Sequence, residues 1–414
     1  MVAVISVYKV VNFPDGGGHF WVYMQYAQAL RRLGCDVYWL EQFRPIREPE
    51  QERYVLSIFL EKMKRFGLEG KTLLYSIDGQ GKGAAKREAG SVRFIGHTWS
   101  EAEAVLRRAD LLLNFHYAID ARLLACARRS ALVDIDPGLL QLWMSTGELA
   151  VSTHDRYLTI GETVGTPAAR FSDCGLPWIH IRPPICLDLW PFTYDPRSEA
   201  FTTVSTWLTT DFLKVMEDGK AVLRENTKRI SFLEFLELPR HTGQPLELAL
   251  YLTGKDSEDR ARLEHHGWTV RDSRVVAGSP EAYSSYVQRS RGEFGCAKPS
   301  YVKFQTAWVS DRTLCYLASG KPAIVQHTGP SCYLPEGEGL FRFTTLAEAS
   351  AAFEAVNSDY ERHCRAARGI AETYFDGEQI VAQILNETLG STLPRTDAAG
   401  SPQDGTSSER PFRC

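Results

Sequence analysis

The sequence predicts an α/β protein built from two doubly wound parallel sheets that face each other across a cleft. Three observations predict it. Short apolar runs alternate with amphipathic helical stretches in two successive rounds. Pro183, Pro184, Pro191 and Pro196 cluster between the rounds and mark a linker of restricted flexibility. The stretch Trp308 to Gln326 reads as a complete helix followed by a buried strand.

The first round opens with a β-branched, apolar strand over residues 2 to 11. A glycine-rich turn, Asn12 to Gly18, leads into a helix from His19 to Leu33. Phe20, Tyr23, Met24, Ala27 and Leu30 share one face of that helix. Gly34 ends it, and Val37 to Leu40 is the second strand. The turn is not G-x-G-x-x-G and lacks a spacing-matched acidic partner, so it does not point to NAD. A helix over about residues 50 to 66 and a strand at 72 to 77 follow, then a mobile loop from Gln80 to Arg87. A helix at 100 to 108 precedes a strand at 111 to 115, which places His116 at that strand's carboxyl end. A helix at 120 to 129 precedes a strand at 131 to 135, closed by Asp136-Pro137-Gly138. Residues 157 to 161 and 178 to 182 read as further strands. Ligands of open α/β sheets bind beyond the carboxyl ends of strands, so the glycine loop, His116, Asp134 and Asp136 are expected around one crevice. Asp134-Ile135-Asp136 has the look of a metal-binding pair. An aspartate before Pro-Gly is more often a turn former, and no metal is expected.

The second round begins with a strand at 202 to 205, followed by Thr206 and Trp207. A helix is expected over about 219 to 238, a strand at 246 to 252, a helix at 258 to 266, a strand at 269 to 270 and a helix at 281 to 289. Residues 346 to 389 read as helical. The tail from 390 to 414 is rich in Ser, Thr, Pro, Asp and Gly, which predicts disorder. The expected division is 1–185, 186–389 and the tail 390–414.

Within Trp308 to Gln326, Ser310 or Asp311 can cap the helix. Leu314, Leu317 and Ala318 form its apolar face, Gly320 stops it, and Pro322 blocks continuation. Ala323-Ile324-Val325 suits a parallel strand covered on both faces. Arg312 falls in the first turn, where the helix dipole disfavours a cation. A bound anion would reverse that penalty. The alternative is an exposed arginine beside a capping aspartate.

Residues 275 to 329, and more weakly 2 to 41, resemble GT-B glycosyltransferases of families one and four. The fit is best to a poorly characterised branch with the pattern carried here by Glu293, Phe294, Lys298, Ser310, Asp311, Arg312, Gly320 and Pro322. The resemblance implies a GT-B fold whose last helix crosses back to the first domain. It implies transfer of a sugar from a nucleotide-diphosphate donor to an acceptor hydroxyl, and the lack of a strong membrane element favours a soluble acceptor such as a small natural product. It places donor binding on Ser310, Asp311, Arg312 and Lys298, with Ala277 in the segment that cradles the nucleobase. Thr206 and Trp207 after the first strand of the donor half, and Gly17 and Gly18 in the first loop, are further donor candidates. His19 is the leading candidate for the catalytic base and Asp136 the second catalytic candidate. Asp15 and His116 are expected at the acceptor, and His154 is a rival base. One position departs from the pattern. The ribose-binding glutamate of the better-known families is replaced by Cys315, so Asp311 or Glu293 is expected to take the ribose. No cofactor is expected. The alternatives are a nucleotide-sugar epimerase on the same plan and a non-catalytic nucleotide-sugar-binding protein.

The composition fits this class. The chain has 414 residues, 44% hydrophobic and 24% charged, enough for two ordinary domains. Its net charge of −4 lacks the basic excess of a nucleic-acid binder. Short basic clusters such as Arg31-Arg32 and Arg107-Arg108 sit at predicted helix ends, where the dipole favours them. Nine scattered cysteines with no C-x-x-C pair fit free thiols in a reducing compartment. The N-terminus lacks a basic n-region, and no apolar run approaches the roughly 18 residues of a membrane span, so a cytoplasmic protein is expected.

Overall fold

The computed structural model describes residues 1–77, 90–207, 212–217 and 220–390. The loop expected at Gln80 to Arg87 and the tail from 391 onward lie outside these residues. The first sheet contains β1 (Val2–Val7), β2 (Asp36–Gln42), β3 (Thr72–Ile77), β4 (Val92–Ile95), β5 (Leu111–Asn114), β6 (Ser130–Asp134), β7 (Arg156–Thr159) and β8 (Trp178–His180). Their order is β4-β3-β2-β1-β5-β6-β7-β8, and every pair is parallel except β3 with β4. The interior strands are apolar on both faces because helices cover both, as in β1, where Ala3 to Val7 are all buried.

The second half contains β9 (Phe201–Thr206), β10 (Phe212–Glu217), β11 (Lys220–Glu225), β12 (Leu246–Tyr251), β13 (Thr269–Asp272), β14 (Gly292–Gly295), β15 (Ala323–Gln326) and β16 (Leu340–Phe343). Six of these form an all-parallel sheet in the order β13-β12-β9-β14-β15-β16. β10 and β11 pair antiparallel as a separate ribbon. Chain order reverses between β1 and β5 in the first sheet and between β9 and β14 in the second. Those two switch points are where ligands of such sheets bind.

Three expectations change. The helix expected over 219 to 238 is strand β11 followed by short helices at Lys228–Glu234 and Leu238–His241. The run Lys220 to Glu225 finds its pairing partner in β10, and tertiary pairing overrides local helix propensity. The helix expected at 120 to 129 is one turn, Ala121–Leu124, capped by the Asp120 carboxylate on the Arg122 N–H. Residues 346 to 389 divide into helices Leu346–Ser358, Tyr360–Tyr374 and Gly377–Leu389.

The two halves share one apolar core. It runs from Ile5, Leu113 and Val133 of the first sheet through Trp21 and Trp190 to Leu314 and Leu317, and on to Ile380 and Ile384. The last helix, Gly377–Leu389, crosses back onto the first helix, Gly17–Arg32. Ile185 anchors the crossing through backbone bonds to Phe375 and Gly377. No helix among the described residues is long and apolar enough to cross a membrane. Seven cysteines are free among the described residues.

Candidate active site

The helix Asp311–Ala318 forms as its sequence dictates. Ser310 Oγ accepts the Arg312 N–H at 3.3 Å, and Gly320 takes the left-handed conformation (φ 70°) that ends it. Arg312 is neither exposed nor held only by the dipole. Its Nε donates to Glu293 Oε1 at 2.6 Å and its Nη1 to the Val204 carbonyl at 3.2 Å, and it is 6% exposed. Burial opposes its charge, while the Glu293 carboxylate raises its pKa above the ordinary arginine value. Gly295 is required beside this pair. A Cβ there would stand 2.7 Å from Arg312 Nη2 and 3.0 Å from Glu293 Oε1.

Lys228, at the start of the helix that follows β11, joins this charged group. Burial and the fields of Arg312 and Lys298 push its ammonium down to about 7, against the pull of Asp311 and Glu293. Lys228 Nζ also lies 5.9 Å from the centre of the Trp308 ring. Three cations thus gather at the carboxyl edge of β14, and two of them depress the charge of the third. An anionic group placed there relieves the repulsion. Lys228 was not singled out from the sequence. The helix expected over 219 to 238 placed it mid-helix, and only the structure puts it at a helix start, where a cation is misplaced for the dipole as Arg312 is.

A cavity of about 250 Å³ lies between the halves. Tyr8, His19, Tyr23 and Asp136 line it from the first half, and Tyr301, Trp308, Asp311 and Cys315 from the second. His19 Nε2 donates to the Tyr8 carbonyl at 2.8 Å, since a carbonyl can only accept. In the neutral ring the other nitrogen, Nδ1, therefore carries the lone pair. Burial lowers the His19 pKa, opposed by the Tyr8 carbonyl and Asp311, so the ring is neutral at pH 7. Asp136 is fixed from both sides. Its Oδ1 accepts from the Tyr301 hydroxyl across the cleft at 2.8 Å, and its Oδ2 from the Tyr117 hydroxyl at 3.3 Å.

Trp308 is presented by an unusual loop. Gln305 and Ala307 both adopt left-handed conformations (φ 55° and 57°), which non-glycine residues rarely take. Bonds to that loop from the Glu162 N–H and the Thr163 hydroxyl, and from the Ala307 N–H to Thr328, hold it in place. Trp308 then stacks flat on Tyr301, with ring centres 4.1 Å apart.

The structure brings His19, Asp136 and Asp311 together and disperses other candidates. Gly17 and Gly18 pack against the second half. A Cβ on Gly17 would meet the Ala277 and Ser279 carbonyls at 2.4 Å, and one on Gly18 would meet the Tyr283 ring at 2.7 Å. These glycines permit close approach of the two halves, and Ala277 is their buried counterpart. Trp207 is fully buried in the second core, with its indole N–H on Asp259 at 2.8 Å, and is a packing residue. Thr206 is exposed at the end of β9. Asp15 is exposed and lines neither the interlobe cavity nor the one beside it. Glu293 is committed to Arg312, whereas Asp311 lines the cavity one helical turn before Cys315. Lys298 occupies the N-cap position of the helix Pro299–Phe304 beside this group, without a side-chain capping bond. His154 is locked, with its Nδ1 on the Ser152 carbonyl and its Nε2 on Asn114. His116 is buried with its Nδ1 lacking a hydrogen-bond partner, and burial lowers its pKa to about 4. Asp134 is consumed by Gln141, Thr159 and the Asp136 N–H, and burial raises its pKa to about 7. No group of three or more metal-ligating side chains occurs among the described residues.

The chain has the GT-B fold. No protein-family model matches it, and no curated protein matches it. Solved structures do. An alpha-glucosyltransferase in complex with UDP and a 13-mer DNA containing an HMU base is 10% identical with a TM-score of 0.58, covering 93% of this chain and 98% of that one. Anabaena HepE in complex with UDP-glucose is 11% identical with a TM-score of 0.56, covering 94% and 100%. The pneumococcal O-GlcNAc transferase GtfA in complex with UDP and GlcNAc is 10% identical with a TM-score of 0.54, covering 94% and 98%. At these identities the likeness carries the fold.

Proposed function

We propose that the chain is a metal-independent glycosyltransferase, moving a hexose from a nucleoside-diphosphate donor to a hydroxyl of a small-molecule or glycan acceptor. One observation carries the reading. A single cavity sets the neutral His19 and the pinned Asp136 opposite Asp311, beside the cation group of Lys228, Lys298 and Arg312. In this reading residues 1–185 hold the acceptor and 186–389 the donor.

The roles follow from the chemistry. The acceptor hydroxyl gives its proton to His19 Nδ1 as its oxygen attacks the anomeric carbon. The bond from that carbon to the diphosphate oxygen breaks, and the electron pair leaves with the diphosphate. Lys228, Lys298 and the N–H groups at the start of the helix Asp311–Ala318 stabilise the charge that builds there. Arg312 acts through its buried pair with Glu293, which orients it. Asp136 faces the cationic ring that His19 becomes, and its field raises the His19 pKa. Asp311 takes the ribose hydroxyls in place of the missing glutamate at Cys315. Attack from the face opposite the leaving group inverts the anomeric centre.

The solved neighbours hold UDP, which makes uridine diphosphate the first nucleotide to test. Calorimetry with uridine, guanosine, adenosine and thymidine diphosphates is expected to show one clear binder. Incubating the matching nucleotide sugar without acceptor then separates the enzyme classes. Epimerised donor in that incubation would replace this reading with an epimerase. Binding of none of the four would remove it.

A further inference from the structure

A second cavity, of about 450 Å³, opens beside the first. The two share Tyr8, Tyr23, Ile135 and Asp136, so a molecule lying in the second brings one end to Asp136 and His19. We propose that this cavity binds the acceptor and that the acceptor is a flat, uncharged, hydroxylated aromatic compound. The inference rests on the sugar-transfer reading above for the word acceptor, and on the cavity alone for the ligand class.

Four features select that class. The walls carry five aromatic rings, Tyr8, Tyr23, Phe115, Tyr117 and Trp143, which favour flat apolar faces. Trp143 is half-buried and belongs to none of the buried core clusters, so its ring is not committed to packing the fold. His116 lines the cavity, is 5% exposed, and its Nδ1 has no hydrogen-bond partner. A buried polar nitrogen without a partner is costly, and a hydroxyl or carbonyl on the ligand satisfies it. Arg44 and Glu148 are both exposed on the rim and carry opposite charges, so the cavity does not select a polyanion.

The test uses the whole protein with three probes: hydroxycoumarin, methyl glucoside and a short DNA duplex, each with and without uridine diphosphate. Hydroxycoumarin is expected to bind saturably. Trp143→Ala is expected to weaken it about tenfold, the size of a lost aromatic contact, and Trp143→Phe to restore most of the loss. Nucleotide affinity should stay within about twofold in both variants, which also shows that they fold. Saturable binding of methyl glucoside or DNA with no binding of hydroxycoumarin would overturn the proposal. So would hydroxycoumarin binding that ignores Trp143. If the wild type binds no nucleotide yet binds hydroxycoumarin through Trp143, the ligand class stands and the sugar-transfer reading falls.

Discussion

The two walls of the cleft solve opposite problems. The wall from the first sheet is aromatic, and its histidines are held neutral by burial: His19 below its ordinary range and His116 near 4. The wall from the second sheet is ionic, with Arg312 locked to Glu293 and Lys228 held near 7 by burial and by its cationic neighbours. In the proposed reading, the difference keeps a proton acceptor and an anion site on neighbouring walls of one cleft. The acceptor stays uncharged because it is desolvated among rings. The anion site stays charged because a buried carboxylate supports one member of the group.

The contrast within the ionic wall is the largest to break. Arg312→Ala leaves Glu293 buried without its partner and should cost about 3–5 kcal/mol of stability. A melting curve checks this, and an unchanged curve would show that the pair does not hold the fold. Lys228→Ala removes a cation that feels the field of Glu293 but forms no ion pair with it. It should leave the melting curve unchanged or raise it, since the group penalises the fold near neutral pH, and weaken nucleotide-diphosphate binding by about 1.5–3 kcal/mol, read by calorimetry. Gly17→Ala tests the contact between the walls. The new Cβ would press on the Ala277 and Ser279 carbonyls, at a cost of about 1–3 kcal/mol in stability. Equal stability of that variant would mean that the halves separate easily.

The smallest effect concerns pH. Lys228 is depressed to about 7, so above that pH it is increasingly neutral in the free protein. A bound diphosphate favours its charged form, so binding at pH 8 should take up a fraction of a proton, at most about one. Affinity should therefore fall as pH rises through and beyond 7. For stability the sign is separate. The unfolded lysine holds its proton up to its ordinary pKa, so this group's penalty on the fold fades as pH rises above about 7. Calorimetry in two buffers of different ionisation heat measures the proton uptake.

Much of this contrast was legible in the sequence. The cap at Ser310, the stop at Gly320 and the strand after Pro322 follow from local chemistry, and the structure reproduces all three. Asp136 emerged because it closes a strand end, and His19 and Asp311 because the resemblance to GT-B glycosyltransferases pointed to them. What failed depended on contacts distant in sequence. Trp207 looked like a loop residue until Asp259, far along the chain, claimed its indole. Gly17 and Gly18 looked like a phosphate loop until the Ala277 to Tyr283 segment closed on them. The ribbon of β10 and β11 was hidden because strand pairing is not a local property. The aromatic cavity was invisible for the same reason, since Tyr8 and Phe115 come from two different strand-to-helix connections and Trp143 from the helix Leu139–Ser145.

The central claim is that His19 accepts the proton while the opposite wall holds the donor. Turnover, nucleotide affinity and melting temperature of His19→Ala, measured on one preparation, test it most directly. The account predicts kcat lowered by about 10²–10⁴, nucleotide affinity unchanged, a folded protein, and an inverted anomeric centre in the wild-type product. Full turnover in the folded variant, or retained anomeric configuration, would contradict it.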